Sequence, residues 1–163
     1  MGFRLPSRIT FFGAIAACLG LALPVAAGEL PAGEPIETNG LTVAGIFLQA
    51  VDMEPAMKAM ASKDTDIHLE ADILAAQGNE NGFAEGEWMP YLTVTYSLAK
   101  AGSDWKTSGE LVPMVASDGP HYGANVKLDG PGKYTVLFNI SPPSKKGFLR
   151  HTDKETGVGK WWD

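Results

Sequence analysis

The sequence predicts an all-β domain, an antiparallel β-sandwich of the immunoglobulin-like type. Three observations predict it. Six segments rich in β-branched, aromatic and other apolar residues follow one another at short spacing. Turn signals built from Gly, Pro, Asn and Asp separate them, and only one short stretch has helical spacing. A single domain is expected, since there is neither an internal repeat nor a low-complexity segment.

Residues 1–8 carry Arg4 and Arg8 and no acid; an apolar run over 9–23 and Pro24-Val25-Ala26-Ala27 follow. That is the layout of a secretory signal, and the run is shorter than the ~20 apolar residues of a spanning helix. Cleavage is placed after Ala27, which leaves residues 28–163 as one exported domain with no direct membrane insertion. The single cysteine, Cys18, follows Ile15-Ala16-Ala17 in a faint lipoprotein box. Lipidation there would leave the apolar LGLALPV on the product, so ordinary cleavage is the reading. The exported chain then lacks cysteine, which excludes disulfides, thiolate zinc sites and a blue-copper centre. Such a domain depends on its apolar core, and the 136 residues from 28 to 163 can supply one. The full chain has 13 basic and 19 acidic residues; without Arg4 and Arg8 the balance is 11 to 19, a net charge of −8. That balance disfavours nucleic acid and anionic lipid as partners and suits cations.

The elements follow in order. Residues 29–40 are rich in Pro, Gly and Glu and read as an extended lead-in. Residues 41–51 (LTVAGIFLQAV) form a strand ended by Asp52-Met53-Glu54-Pro55. Met53, Met57 and Met60 are spaced like one face of a helical turn. Packing of a short helix on the core explains that spacing, with a methionine copper box as the alternative. Residues 66–75 (DIHLEADILA) alternate, placing Ile67, Leu69, Ala71 and Ile73 on one face and His68, Glu70 and Asp72 on the other. Residues 77–86 are a loop. Residues 88–99 (WMPYLTVTYSLA) are a strand in which Pro90 implies an edge position or a bulge. After a turn over 101–107, residues 109–116 and 122–128 form a hairpin. Asp129-Gly130-Pro131-Gly132 is a tight turn before the last strand, 133–140 (KYTVLFNI). Residues 141–163 are a polar tail ending in Lys160-Trp161-Trp162-Asp163, and two terminal tryptophans imply docking on the domain or on a second subunit.

The hairpin holds the first candidate site. Ser117-Asp118-Gly119-Pro120 is a strong turn signal. A turn centred on Ser117 and Asp118 sets Met114 opposite His121, Cβ atoms roughly 5 Å apart. A thioether favours Cu(I) and an imidazole suits several first-row metals, so the pair can share one ion. A core Met beside a half-buried His is the alternative. His68 and Glu70 are same-face neighbours roughly 6.5 Å apart along their strand, close enough for one ion or two adjacent ions. Read alone, that set is an ordinary solvent-facing polar stripe on an antiparallel sheet. There is no GxSxG, HExxH, P-loop or GxGxxG, so no catalytic residue is assigned. Metal binding by a His/Met/Glu set is the best-supported chemistry.

Four stretches in this order, DIHLEADI, NGFAEGEWMPYLTVTY, VPMVASDGPHYGANV and GFLRHTDKETGVGKWW, resemble the periplasmic high-affinity iron-uptake proteins that bind copper, a group that includes a lactoferrin-binding lipoprotein. The resemblance runs from about Glu34 to Trp162. It implies an immunoglobulin-like sandwich that pairs as a homodimer in the periplasm, with metal near the subunit interface. It implies copper ligands at His68, Met114 and His121, with Glu70 a fourth ligand or a bridge to a second metal. His151 would come from the partner subunit, and Glu29 is the nearest match to an acidic residue near a second, iron-type site. Members of that group continue past the Gly-Lys-Trp segment with another strand, whereas this sequence stops at Asp163. The function implied is iron uptake, with copper bound and iron presented to an inner-membrane permease. The alternative is a periplasmic copper chaperone or buffer with the same ligands. A copper oxidase or dismutase is disfavoured because three histidines supply too few imidazoles, and a purely structural adhesion domain would bind no metal.

Overall fold

The computed structural model describes residues 28–163, so the expected secretory signal and Cys18 lie outside the described residues. Eight strands follow in chain order: β1 (Leu30–Pro31), β2 (Ile36–Thr38), β3 (Leu41–Gln49), β4 (Ile67–Ala75), β5 (Thr93–Lys100), β6 (Lys106–Ala116), β7 (Gly119–Val126) and β8 (Tyr134–Ser141). All the strand pairings are antiparallel, in the order β1-β3-β4-β7-β6-β5-β8, with β2 also on β3. The eleven-residue β6 belongs to both layers. Its first part pairs with β5 as far as Leu111, and its second part pairs with β7 from Val112 onward. One strand thus turns the corner between the sheets, as in other sandwiches whose strands switch layers. The architecture is the expected immunoglobulin-like β-sandwich.

The core lies between the layers. Leu69, Ala71 and Ile73 of β4 and Tyr122, Ala124 and Val126 of β7 enter it from one sheet, and Val94, Tyr96 and Leu98 of β5 from the other. The alternation in residues 66–75 therefore has the predicted sense. The opposite face of β4 does not. His68 is 1% exposed and Glu70 5%, so this polar stripe is buried on a sheet face that would ordinarily be wet.

Several elements differ from the expectation. The lead-in is not merely extended, since β1 and β2 both pair with β3. The turn from β2 to β3 is Asn39-Gly40, both at positive φ (50° and 71°), the chemistry of a two-residue hairpin loop. No methionine helix forms. Residues 50–66 hold only two 3-10 turns, Lys58–Met60 and Ser62–Asp64. Met57 is exposed, Met60 packs half-buried against the core, and Met53 lines a surface cavity. Pro55 sits in the middle of the proposed stripe, and its missing N–H works against a continuous helix. Pro90 marks neither an edge nor a bulge: β5 begins after it, at Thr93, and is paired on both sides.

The tail docks on its own domain. Trp161 is buried in the core cluster, and Trp162 Nε1 donates to Ile140 O at 3.2 Å. The Gly159 N–H donates to Glu80 O (2.6 Å), and Asn81 Nδ2 donates to Gly159 O (3.0 Å). Among the described residues, no helix is long and apolar enough to cross a membrane.

Candidate metal centre

Strand β7 positions the site. Every residue from His121 to Val126 is buried, with Tyr122, Ala124 and Val126 in the core. By the two-residue period of a strand, His121, Gly123 and Asn125 face the other way. Register then does the rest. His68 lies opposite Asn125, Glu70 opposite Gly123, and Met114 opposite His121. The hairpin turn is Ser117-Asp118, as the sequence predicts, because Ala116 pairs with Gly119.

These pairings gather His68, Glu70 and His121, whose ligand atoms all lie within 4.8 Å of one another. Glu70 Oε1 stands 3.4 Å from His68 Nε2 and 3.5 Å from His121 Nε2. Two donors each ~2.1 Å from one ion at a tetrahedral angle stand ~3.4 Å apart, so the spacing fits a shared ion. Both Nε2 atoms are buried and have no hydrogen-bond partner. Buried polar atoms are almost always satisfied, and two orphaned nitrogens aimed at one carboxylate oxygen are what a metal would satisfy. The space for them exists because position 123 is glycine: a Cβ there would lie 2.6 Å from His68 Nε2 and 3.2 Å from His121 Cδ2.

Met114 is half-buried and absent from the core. It lines, with His68, Glu70, His121, Glu29, Asp118 and Met53, a cavity of about 750 Å3. Both alternatives in the sequence, a core methionine and a solvent-facing stripe, are therefore set aside. Val51, Asp52 and Glu54 from the segment after β3 line the same cavity, together with the hairpin turn. His151 is not part of this group; its side chain is 72% exposed on the tail, with Nδ1 2.7 Å from Thr156 Oγ1.

Burial sets the charge states. Burial, and then the charges of Glu29, Asp72 and Asp118, push Glu70 up to about 7. Asp72 is raised chiefly by burial, and Glu29 chiefly by its contact with the Asp118 carboxyl. Burial lowers His68, which favours the neutral, ligating imidazole. The arrangement offers two imidazoles, a carboxyl group that can release a proton, and a thioether in the same cavity.

Asp118, Gly123 and Asn125 were not singled out by sequence reasoning as site residues. The signal for the last two was present, since they follow His121 at intervals of two within a predicted strand.

A UPF0423 protein of Brucella abortus (strain 2308) is 52% identical over 147 residues, 88% of this chain and 81% of that protein. The copper-bound structure of a FetP variant from uropathogenic Escherichia coli strain F11 superposes with a TM-score of 0.80 at 53% identity, covering 83% of this chain and 90% of that one. Copper-reconstituted P19 protein from Campylobacter jejuni gives a TM-score of 0.81 at 50% identity, over 83% of this chain and 90% of that one. Residues 26–163 match the family described as Fe2+ transport protein, and the chain belongs to that family.

Proposed function

We propose that this chain is a periplasmic copper-binding protein of high-affinity iron uptake. One observation carries the reading: two buried, unpartnered imidazole nitrogens and a carboxylate oxygen converge over a glycine floor. His68 Nε2, His121 Nε2 and the Met114 thioether would hold copper, with Glu70 as a fourth ligand or a bridge to a second metal. Bound copper would supply a one-electron redox couple, to which the thioether lends affinity for Cu(I) and the carboxylate for Cu(II). The copper-bound state of the two relatives above supports this assignment. Glu70 would release its proton to water as the ion binds, and His68, lowered by burial, would meet it as the neutral imidazole.

Iron is the proposed cargo. Glu29, Glu70 and Asp118 line one cavity, and Asp72 adds its negative field there. A cation would relieve the raised Glu29, Glu70 and Asp72 carboxyls, and oxygen donors suit a hard one. His151 would reach the site of a second copy in a homodimer. Its tautomer favours that role: Thr156 Oγ1 gives its hydrogen to Asp153 Oδ2 (2.8 Å), so His151 Nδ1 must donate to Thr156 and Nε2 keeps the lone pair. Delivery of iron to an inner-membrane permease completes the proposal.

Copper titration of the metal-free protein, followed by calorimetry, tests the reading. Stoichiometric binding and a raised unfolding temperature are expected. Met114→Leu should fold normally and bind copper about tenfold more weakly or worse, a loss of at least ~1.4 kcal/mol. Unchanged affinity in that variant would remove Met114 from the site, and no copper binding by the parent protein would end the reading.

A further inference from the structure

Asn125 is 4% exposed and makes four hydrogen bonds. Its Oδ1 accepts from the Val51 N–H (3.1 Å), and its Nδ2 donates to Val51 O (2.7 Å) and to Met60 O (2.8 Å). Oδ1 also lies 2.8 Å from His68 Nδ1. The amide has only one workable orientation. Two carbonyl oxygens face one side and cannot donate, so the NH2 group must be there. A backbone N–H faces the other side, so the oxygen must be there. His68 Nδ1 therefore carries the hydrogen and donates it to Asn125, and the lone pair of the ring is on Nε2. That is the nitrogen aimed at Glu70 Oε1, 3.4 Å away.

We infer that Asn125 is a positioning residue with two linked tasks. It fixes His68 in the Nδ1–H tautomer, so that Nε2 is the ligating atom. It also ties that imidazole to Val51, the first residue of the stretch 51–54 that lines the cavity, and to Met60 further along the same segment. Partners of this kind hold a ligating histidine in orientation and set its tautomer. Both the donors and the oxygen of the amide are in use, so no shift of His68 leaves the wall unaffected. An ion that holds His68 in place therefore steadies the Val51 strap as well. The purpose of the free nitrogen rests on the metal reading above; the tautomer and the strap do not.

The test uses 15N-histidine-labelled, metal-free protein at pH 8, with Asn125→Leu and Asn125→Asp beside the parent. Long-range 1H–15N correlation reports which nitrogen of His68 carries the hydrogen. The parent and Asn125→Asp should both show Nδ1–H, because a carboxylate still accepts from the ring. Asn125→Leu should lose that preference. Copper affinity should fall about 10–100-fold in Asn125→Leu and less than about tenfold in Asn125→Asp. The Val51 amide should exchange more slowly in the copper-loaded parent than in the metal-free one. An Nε2–H tautomer in the parent, or equal copper loss in the two variants, would overturn the inference. If Asn125→Leu does not fold, the parent tautomer and Asn125→Asp decide it. Failure of the parent to bind copper while His68 shows Nδ1–H would sink the metal reading and leave Asn125 in control of the ring.

Discussion

At Gly123 the strand has no side chain because two imidazoles fill the space a Cβ would take. Its φ is not among the positive values of this backbone, so alanine there meets the rings and no backbone strain. Gly123→Ala should therefore fold and lose copper affinity by roughly 10–100-fold, the range seen when the support of a ligand is disturbed; chelator competition measures it. Glu70 gives a second prediction at this scale. Its ordinary value of 4.5 is raised to about 7, so between those pH values the folded, metal-free protein holds a proton that the unfolded chain has released. The sign follows: this group lowers stability progressively as pH rises from 4.5 to 7, fully above 7, and not at all below 4.5. Glu70→Gln should match the parent near pH 4.5 and exceed it at pH 8 by on the order of 1–3 kcal/mol, read from urea melts at both pH values.

Strand β7 joins two jobs that sequence periodicity separates cleanly. Tyr122 OH donates to Met89 O (2.7 Å) and accepts from the Leu92 N–H (3.1 Å), on the core side of the sheet. Tyr122→Phe should lower stability by about 1–3 kcal/mol through the two groups left unpaired. It should leave copper affinity within about twofold, since the ring points away from the site. The same alternation explains what could be read from sequence. The Met114–His121 pairing and the shared face of His68 and Glu70 follow from one turn and a period of two, which are local rules. Burial of the His68 stripe is not local. Residues 51–54 line the cavity beside it, and Asn125 bonds Val51 and Met60, contacts between positions 74 and 65 residues apart. The short strands β1 and β2 were hidden for a similar reason, because a Pro- and Gly-rich lead-in becomes strand only when β3 is there to pair with it. Asn39-Gly40 was the one local sign of that pairing. The methionine spacing misled because period alone does not register Pro55.

The whole molecule is closed by its tail as well as by its sheets. Trp161 is 7% exposed and packs with residues of the core, so Trp161→Ala should cost about 3–5 kcal/mol in a denaturant melt. Copper affinity of the folded fraction should not change, because the indole and the imidazoles belong to different faces. The two layers share β6 at one side only. At the other, between β1, β3 and β8, an apolar cavity of about 310 Å3 opens between them, lined by Phe47, Leu69, Leu98 and Val136 among others. The sandwich is thus like a book with β6 as its spine. Thermal breathing would part the covers at the fore-edge and hardly at the binding. Met114 lies on the spine and His121 on the strand beside it, so the grip on an ion can stay constant while the far margin of the protein flexes.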